Sequence, residues 1–452
     1  MRHTICAIST PYGSGGIAVV RVSGEQAITM VNSLFRGKHS LSEAKANTVH
    51  YGEMVAQTGE IIDEVVATVF RAPHSFTGED TVEISCHGSM YIQQALLQQL
   101  INIGCRLAQA GEFTQRAFLN GKLDLAEAEA VADLIASQSK AEKDLAMRQL
   151  KGHVSDEIRL LRERLLHFTS LIELELDFAD HEELAFADRN ELLLLAEEID
   201  THLSRLIYSF KTGNAIKNGI GVAIIGETNV GKSTLLNALL GDERAIVSDI
   251  EGTTRDTIEE RLVIGGVQFR FIDTAGLRTT TDQVEQLGIA RSLKAAAEAQ
   301  VIIHVSTPTA PCRVTAQAAS LSLDLTDKII IEVCNKADLF GTIPQSSADN
   351  NTLYISAKQR AISPLLARLQ EIGDALTHTR DAATISNVRH YEALVRAQQA
   401  IRNVHNGLTA GISGEFLSMD LQDCLHALGE ITGQITSDEV LHTIFSHFCI
   451  GK

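Results

Sequence analysis

Gly221-Val222-Ala223-Ile224-Ile225-Gly226-Glu227-Thr228-Asn229-Val230-Gly231-Lys232-Ser233 is the stretch whose reading decides the fold. Its apolar run, Val222 to Ile225, predicts a buried strand, and Thr234 to Leu240 predicts the helix that follows. Between them Gly226, four further residues, and Gly231-Lys232-Ser233 keep the spacing of a phosphate loop. Glycines at these points let successive backbone N–H groups face phosphate oxygens, and the helix N-terminus adds the positive end of its dipole. Lys232 is expected to reach the β- and γ-phosphates and the Ser233 hydroxyl to ligate Mg²⁺, with Asn229, Val230, Gly231 and Thr234 completing the phosphate contacts. The loop implies a nucleoside triphosphate and leaves the base open.

The base is read about a hundred residues further on. Ile329 to Val333 is a β-branched run that predicts a strand, and it leads into Asn335-Lys336-Ala337-Asp338. A carboxylate at Asp338 can accept from both N1–H and the exocyclic NH₂ of guanine. Adenine lacks that donor pair and would leave the carboxylate unpaired. Asn335 can tie this loop to the phosphate loop, the Lys336 stem can cover the base, and Ser356-Ala357-Lys358, after the short strand Leu353 to Ile355, fits a supporting base loop. Asp273-Thr274-Ala275-Gly276 follows the predicted strand Val267 to Ile272; Asp273 is expected to hold Mg²⁺ through water and the Gly276 N–H to meet the γ-phosphate. Thr254, in Gly252-Thr253-Thr254-Arg255-Asp256, is the expected Mg²⁺-binding threonine, and Gly265-Gly266 the turn between two strands. These two segments would be switches ordered by the γ-phosphate. Ras-type GTPases place a Gln directly after the last of these glycines to orient water. Here that position is Leu277, so another group must do that work.

Around this centre the chain of 452 residues carries 44% hydrophobic and 21% charged residues, the balance of a soluble globular protein of several domains. Its net charge of −18 excludes indiscriminate coating of a polyanion; any nucleic acid must meet a local basic patch or a partner. Seven cysteines without a C-x-x-C pair argue against a disulfide framework and against a zinc site. The absence of a membrane-length apolar run, and the short polar start Met1 to Cys6, lead us to expect a cytoplasmic protein.

Residues Thr4 to about Leu119 read as α+β: strands at Ile17 to Val22, Thr48 to Val55, Ile61 to Arg71 and Thr81 to Cys86, a short helix opened by Ser23-Gly24-Glu25, and a helix from Tyr91 to Ile103. From Asp124 the period becomes 3.6, with Leu125, Ala128, Val131, Ala132 and Ile135 on one face, and helices continue through Leu160 to Leu176 and Glu191 to Phe210. Asp177 to Glu183 reads as a solvated acidic loop, and Thr212 to Gly219 as a linker. Helices resume at Arg389. Apolar helical faces on both sides of the nucleotide segment cover each other most simply, although two separate bundles also satisfy the pattern. The expected fold is therefore multidomain α/β and α. An N-terminal α+β domain (1–119) is followed by a central helical domain (120–212 with 380–452), into which a Ras-like P-loop GTPase domain (217–378) is inserted.

Taken together, the chain resembles the MnmE (TrmE) family of tRNA-modification GTPases. The resemblance is carried by Gly13-Ser14-Gly15-Gly16 with Arg21, Ser75-Phe76-Thr77-Gly78-Glu79-Asp80, Gly111-Glu112-Phe113 leading to Lys122-Leu123-Asp124, the four GTPase motifs, and Phe448-Cys449-Ile450-Gly451-Lys452. It implies a homodimer made by the N-terminal domain. It also implies a partner of the MnmG type, which carries FAD, in a heterotetramer or larger. Together the two would place a carboxymethylaminomethyl or aminomethyl group on C5 of the wobble uridine of certain tRNAs. The one-carbon donor would be a tetrahydrofolate, in its 5-formyl or 5,10-methylene form, held by Arg21, Glu83, Lys122 and Lys452. The resemblance further implies K⁺ in place of an arginine finger, held by Asn229 and by Ala245, Ile246, Val247, Ser248 and Asp249, with Ser248 also at the nucleotide. Glu285 would position the water through a second water, and Cys449 would stand near the folate. Without the resemblance, Arg21, Glu83 and Lys122 are ordinary surface charges, Glu285 is an acid at a helix start, and Cys449 is a small buried hydrophobe. The GTPase motifs alone fit a regulatory switch of ribosome assembly equally well. Two places depart from the family's pattern: Cys86-His87-Gly88-Ser89, where many members read Gly-His-Gly-Gly, and Ser306-Thr307, where an Asp is common.

Overall fold

The structure, a computed structural model, describes residues 3–177, 189–242, 246–247, 259–272, 295–309, 328–340, 352–377, 383–446 and 448–451. The chain forms two compact units, Met1–Ala132 with Leu425–Lys452, and Asp133–Cys424.

In the first unit seven strands form one sheet: β1 (Ile5–Ile8), β2 (Ile17–Ser23), β3 (Phe35–Gly37), β4 (Thr48–Val55), β5 (Ile61–Phe70), β6 (Thr81–His87) and β7 (Arg106–Leu107), in the order β3-β4-β5-β6-β2-β1-β7. All pairings are antiparallel except β1 with β7. The predicted hairpin is β4–β5, turned at Gly59 with φ +89. Alternation decides which face is covered: Val65, Ala67 and Val69 of β5 are buried while the alternating Glu64 and Val66 are exposed. Helices α1 (Ala27–Leu34) and α2 (Met90–Asn102) cover that face with Val31, Leu96 and Leu100. Helix α3 (Glu112–Leu119) follows, and then α4 (Leu125–Ala136), which crosses the boundary between the units. On α4 the expected stripe is partly realised. Leu125 and Ala128 are buried, Val131 and Ala132 half-buried, and Ile135 is exposed, so the covered face ends before the helix does.

The second unit holds α5 (Lys140–Leu150), α6 (His153–Asp177) and α7 (Arg189–Asn218), then β8 (Ile220–Gly226), α8 (Lys232–Leu240), β9 (Ile246–Val247), β10 (Glu260–Ile264), β11 (Val267–Phe271), β12 (Val301–Ser306), β13 (Ile329–Cys334), β14 (Thr352–Tyr354), α9 (Ser363–Thr377) and α10 (Val388–Ala410). Helix α11 (Gly414–Thr432) crosses to the first unit, which also holds α12 (Asp438–Ser446). The sheet order is β14-β13-β12-β8-β11-β10-β9, parallel except for β10 against its two neighbours. This is the Ras-like arrangement, and the near-continuous burial of β8 and β12 is that of a parallel sheet covered on both faces.

The helices on either side of this sheet in sequence pack on each other. Helix α10 lies along α7, where Phe210 and Tyr391 stack at 4.4 Å, Gln398 Nε2 donates to Ser204 Oγ at 2.7 Å, and Arg402 pairs with Asp200 at 3.0 Å. The GTPase domain is thus inserted into a helical frame. Thr212 to Gly219 is not a linker: α7 runs on to Asn218, because Ala215 and Ile216 are buried in the core. Gly213 is there for a close approach, since a Cβ on it would meet Ile385 O at 2.1 Å. Asp177 ends α6; the rest of the expected acidic loop lies outside the described residues.

Candidate functional site

The phosphate loop leaves β8 at Gly226 and enters α8 at Lys232. Gly226 has φ +153, and a Cβ on it would meet Val305 O at 2.3 Å. Gly231 has φ +95, and a Cβ there would lie 2.4 Å from Asn335 Nδ2. Both glycines are therefore demanded by crowding as well as by backbone conformation. Asn229 takes φ +64, which Asn tolerates best among residues with a side chain. The Lys232 ammonium donates to Gly226 O at 2.9 Å and Glu227 O at 2.7 Å, and burial lowers its pKa from the usual lysine range. A phosphate oxygen carries full charge and is a stronger partner than either carbonyl. Ser233 sits in the first turn of α8, where backbone N–H groups have no intrahelical acceptor.

The base loop is bolted to this loop by one amide. Asn335, 3% exposed, donates from Nδ2 to Val230 O at 2.9 Å, and its Oδ1 accepts from Ala357 N–H at 3.0 Å. Lys336, at φ +58, donates from Nζ to Asn229 O at 2.7 Å. Asp338 Oδ1 accepts from Ser356 Oγ at 2.6 Å. The structure thus brings together Asn229, Val230, Gly231, Lys232, Asn335, Lys336, Asp338, Ser356 and Ala357, with Ser233, Thr234 and Lys358 next to them in sequence. The departure at Ser306 lies closer to this site than the sequence indicates, because Asn335 N–H donates to Ser306 O at 2.8 Å. That contact uses backbone alone, so a serine serves. Thr254, Asp273, Thr274, Ala275, Gly276, Leu277, Glu285, Ala245, Ser248 and Asp249 lie outside the described residues, and Ile246 and Val247 are described only as strand β9. Among the described residues no cluster of acids, histidines and cysteines could hold a metal by itself.

A second constellation lies in the N-terminal unit. Arg21 and Glu83 are direct partners across β2 and β6 and form an ion pair at 2.8 Å. The Arg21 guanidinium lies over Phe76 and Phe113, 5.6 and 5.5 Å from the ring centroids. Phe76 belongs to the same loop as Gly78, where a Cβ would meet Lys122 Cγ at 3.3 Å, and Lys122 Nζ donates to Pro73 O at 3.2 Å. The tail returns to β1: Ile450 bridges Ala110, Ser9 Oγ donates to Gly451 O at 3.1 Å, and a Cβ on Gly451 would meet Ile8 O at 2.2 Å. Since Ala7 faces Arg21 across β1 and β2, the tail ends one strand from the Arg21–Glu83 pair. Cys449 is exposed rather than a buried hydrophobe, and Lys452 lies outside the described residues. Ser89 has φ −72 and stands at the N-cap position of α2, so nothing there requires a second glycine.

Sequence reasoning missed what holds this corner. Buried Arg116 pairs with Glu79 at 3.0 Å and Glu112 at 3.0 Å and donates to His3 O at 2.8 Å, while Ser23 Oγ donates to Glu79 at 3.0 Å. Burial alone would raise the Glu112 carboxyl, but bonds from Arg106, Gln109 N–H and Arg116 outweigh it and leave its pKa below the ordinary value. The spacing of Glu112 and Arg116, four apart on a helix, was the available signal.

Comparison with known proteins matches the chain in two consecutive parts. The family described as "GTP-binding protein TrmE N-terminus" matches residues 4–122, and that described as "MnmE helical domain" matches residues 125–449. The chain is 54% identical to the tRNA modification GTPase MnmE of Parabacteroides distasonis over 459 residues, covering 99% of this chain and 100% of the relative. It is 50% identical to that of a strain of Bacteroides fragilis over 473 residues, with 100% of both covered. Among solved structures, Era of Aquifex aeolicus bound to GDP and aluminium fluoride is 26% identical over 40% of this chain and 65% of its own, with a TM-score of 0.24.

Proposed function

The chain belongs to the MnmE family of tRNA-modification GTPases, and from that premise we propose that it hydrolyses GTP to drive modification of the wobble uridine of certain tRNAs. One observation carries the GTP reading: Asp338, held by Ser356, stands on a loop that Asn335 ties to the phosphate loop. Asp338 accepts from the guanine N1–H and NH₂, and Lys232 neutralises the β- and γ-phosphates. Ser233, with Thr254 and Asp273, would hold Mg²⁺, which when bound offsets charge on the phosphate oxygens. Asn229 and the segment Ala245 to Asp249 would hold K⁺, and Glu285 would place the water in the role that Leu277 cannot fill.

The N-terminal corner supports folate binding. Arg21 and Lys122 suit an acidic glutamate tail, Glu83 suits a pterin N–H edge, and Phe76 and Phe113 offer flat apolar faces beside them. In this reading the chain is a cytoplasmic homodimer built from domains 1–119, 120–212 with 380–452, and 217–378. It works with an FAD-carrying partner of the MnmG type on the C5 carbon, using 5-formyl- or 5,10-methylene-tetrahydrofolate, with Cys449 close by. Mass spectrometry of wobble nucleosides from cells lacking the protein tests the whole reading. Loss of the C5 substituent is expected; a profile identical to wild type leaves only a regulatory GTP switch.

A further inference from the structure

An acidic protein that acts on tRNA needs a local excess of positive charge, and one loop carries it. Between Phe35 and Asn47 the chain carries Arg36, Lys38 and Lys45 against a single carboxylate, Glu43, although acids outnumber bases 57 to 39 overall. All three cations are exposed, as is His39 among them, and among the described residues none of the three cations makes an ion pair. Arg36 faces Glu53 across β3 and β4 without pairing to it.

The loop that carries them is held, not loose. Leu41 is fully buried beneath it. Asn32 Oδ1 accepts from Leu41 N–H at 2.7 Å and from Ser40 Oγ at 3.0 Å. Arg71 donates to Ala44 O at 3.0 Å and Ser42 O at 2.8 Å, and Thr48 Oγ1 donates to Lys45 O at 2.6 Å. A frame already built spares a ligand much of the entropy of ordering it. Cations on an edge strand also discourage pairing between sheet edges. That explains Arg36 on β3, but Lys38 and Lys45 lie past the end of the strand at Gly37 and have no edge to guard.

We propose that the Arg36–Lys45 loop is a contact surface for RNA backbone phosphates; the proposal rests on the reading that this chain acts on tRNA. The contact is electrostatic and independent of base sequence, so it orients the RNA and leaves the choice of nucleotide to other groups.

The test uses the full chain with Arg36→Glu, Lys38→Glu and Lys45→Glu together, compared with the unsubstituted protein for tRNA binding across a salt series. We expect tRNA affinity to fall roughly tenfold or more at low salt, and the slope of log affinity against log salt to become shallower by about 2. GTP turnover should be unchanged, and an unfolding midpoint of the first unit equal to that of the unsubstituted protein shows that the fold carrying the loop is kept. The charge-preserving set Arg36→Lys, Lys38→Arg and Lys45→Arg should bind as the unsubstituted protein does. Equal affinity and slope in the reversed variant overturn the surface, as does an unsubstituted protein that binds no tRNA while still restoring the wobble nucleosides in cells. A deletion strain with a full complement of those nucleosides removes the tRNA reading itself, which separates the two failures.

Discussion

At the scale of single residues, the joining of the phosphate loop to the base loop was legible because each group expected there has a chemical duty that fixes both residue type and spacing. Asp338 is the clearest case. Asp338→Asn replaces an acceptor pair with one acceptor and one donor, so GTP affinity should fall roughly 10- to 100-fold while xanthosine triphosphate gains, as titration with both nucleotides would show. Unchanged GTP affinity would contradict the base recognition. Cys449 was the residue most open to misreading, since its apolar neighbours Phe448 and Ile450 suggest burial. Its side chain is exposed, whereas Cys6, Cys86, Cys105, Cys334 and Cys424 are buried, and burial pushes Cys86 up to about 11 and Cys424 up to about 12. Among these six, native alkylation should label Cys449 alone, with the other five reacting only after unfolding. Early labelling of Cys424 would refute the packing of α11.

At the scale of elements, sequence reading succeeded where periodicity was strong and failed where a glycine had two explanations. The strands that the sequence reading delimited fall within a residue or two of their expected limits, whereas the short strands β1, β3, β7 and β9 were not foreseen. The run from Thr212 to Gly219 failed because a glycine that permits flexibility and a glycine that permits contact look alike. Gly213→Ala separates the two. A Cβ pressed on Ile385 O should lower the unfolding free energy of the second unit by about 1–3 kcal/mol, read from denaturant titration, whereas a true linker glycine would gain stability when replaced by Ala. The Arg116 network around α3 was illegible for another reason: His3, Ser23, Glu79 and Glu112 meet only after the sheet has formed. Its contribution should depend on pH. The Glu112 carboxyl lies below its ordinary pKa, so its stabilisation is present above the unfolded carboxylate range and is lost as pH falls through the folded value. Urea midpoints should therefore show Glu112→Gln less stable than wild type at neutral pH, with the gap closing in acid. A constant gap would argue that the charge is irrelevant.

At the scale of the whole molecule, Leu277 in the sequence and Asn229 at φ +64 in the structure point the same way. The GTPase domain carries no side chain of the usual kind to orient water, and a loop conformation rare for non-glycine residues is spent on an oxygen-bearing amide. GTP turnover should accordingly rise steeply when Na⁺ is replaced by K⁺, and should lose that dependence in Asn229→Ala; equal rates in the two salts would remove K⁺ from the site.

The tail contact has a consequence in time. Gly451 closes on Ile8 and Ser9, and Phe448 packs with Leu125 and Ala128, so one corner of the first unit is finished by residues translated after the GTPase domain. During synthesis the sheet from β1 to β7 must wait, with that corner open, while the entire GTPase domain is made and folds. The ribosome thus delivers the phosphate loop and the base loop before it delivers the residues that complete the N-terminal corner. A nascent chain that stops before the tail lacks the edge against which the Arg21 corner is shaped.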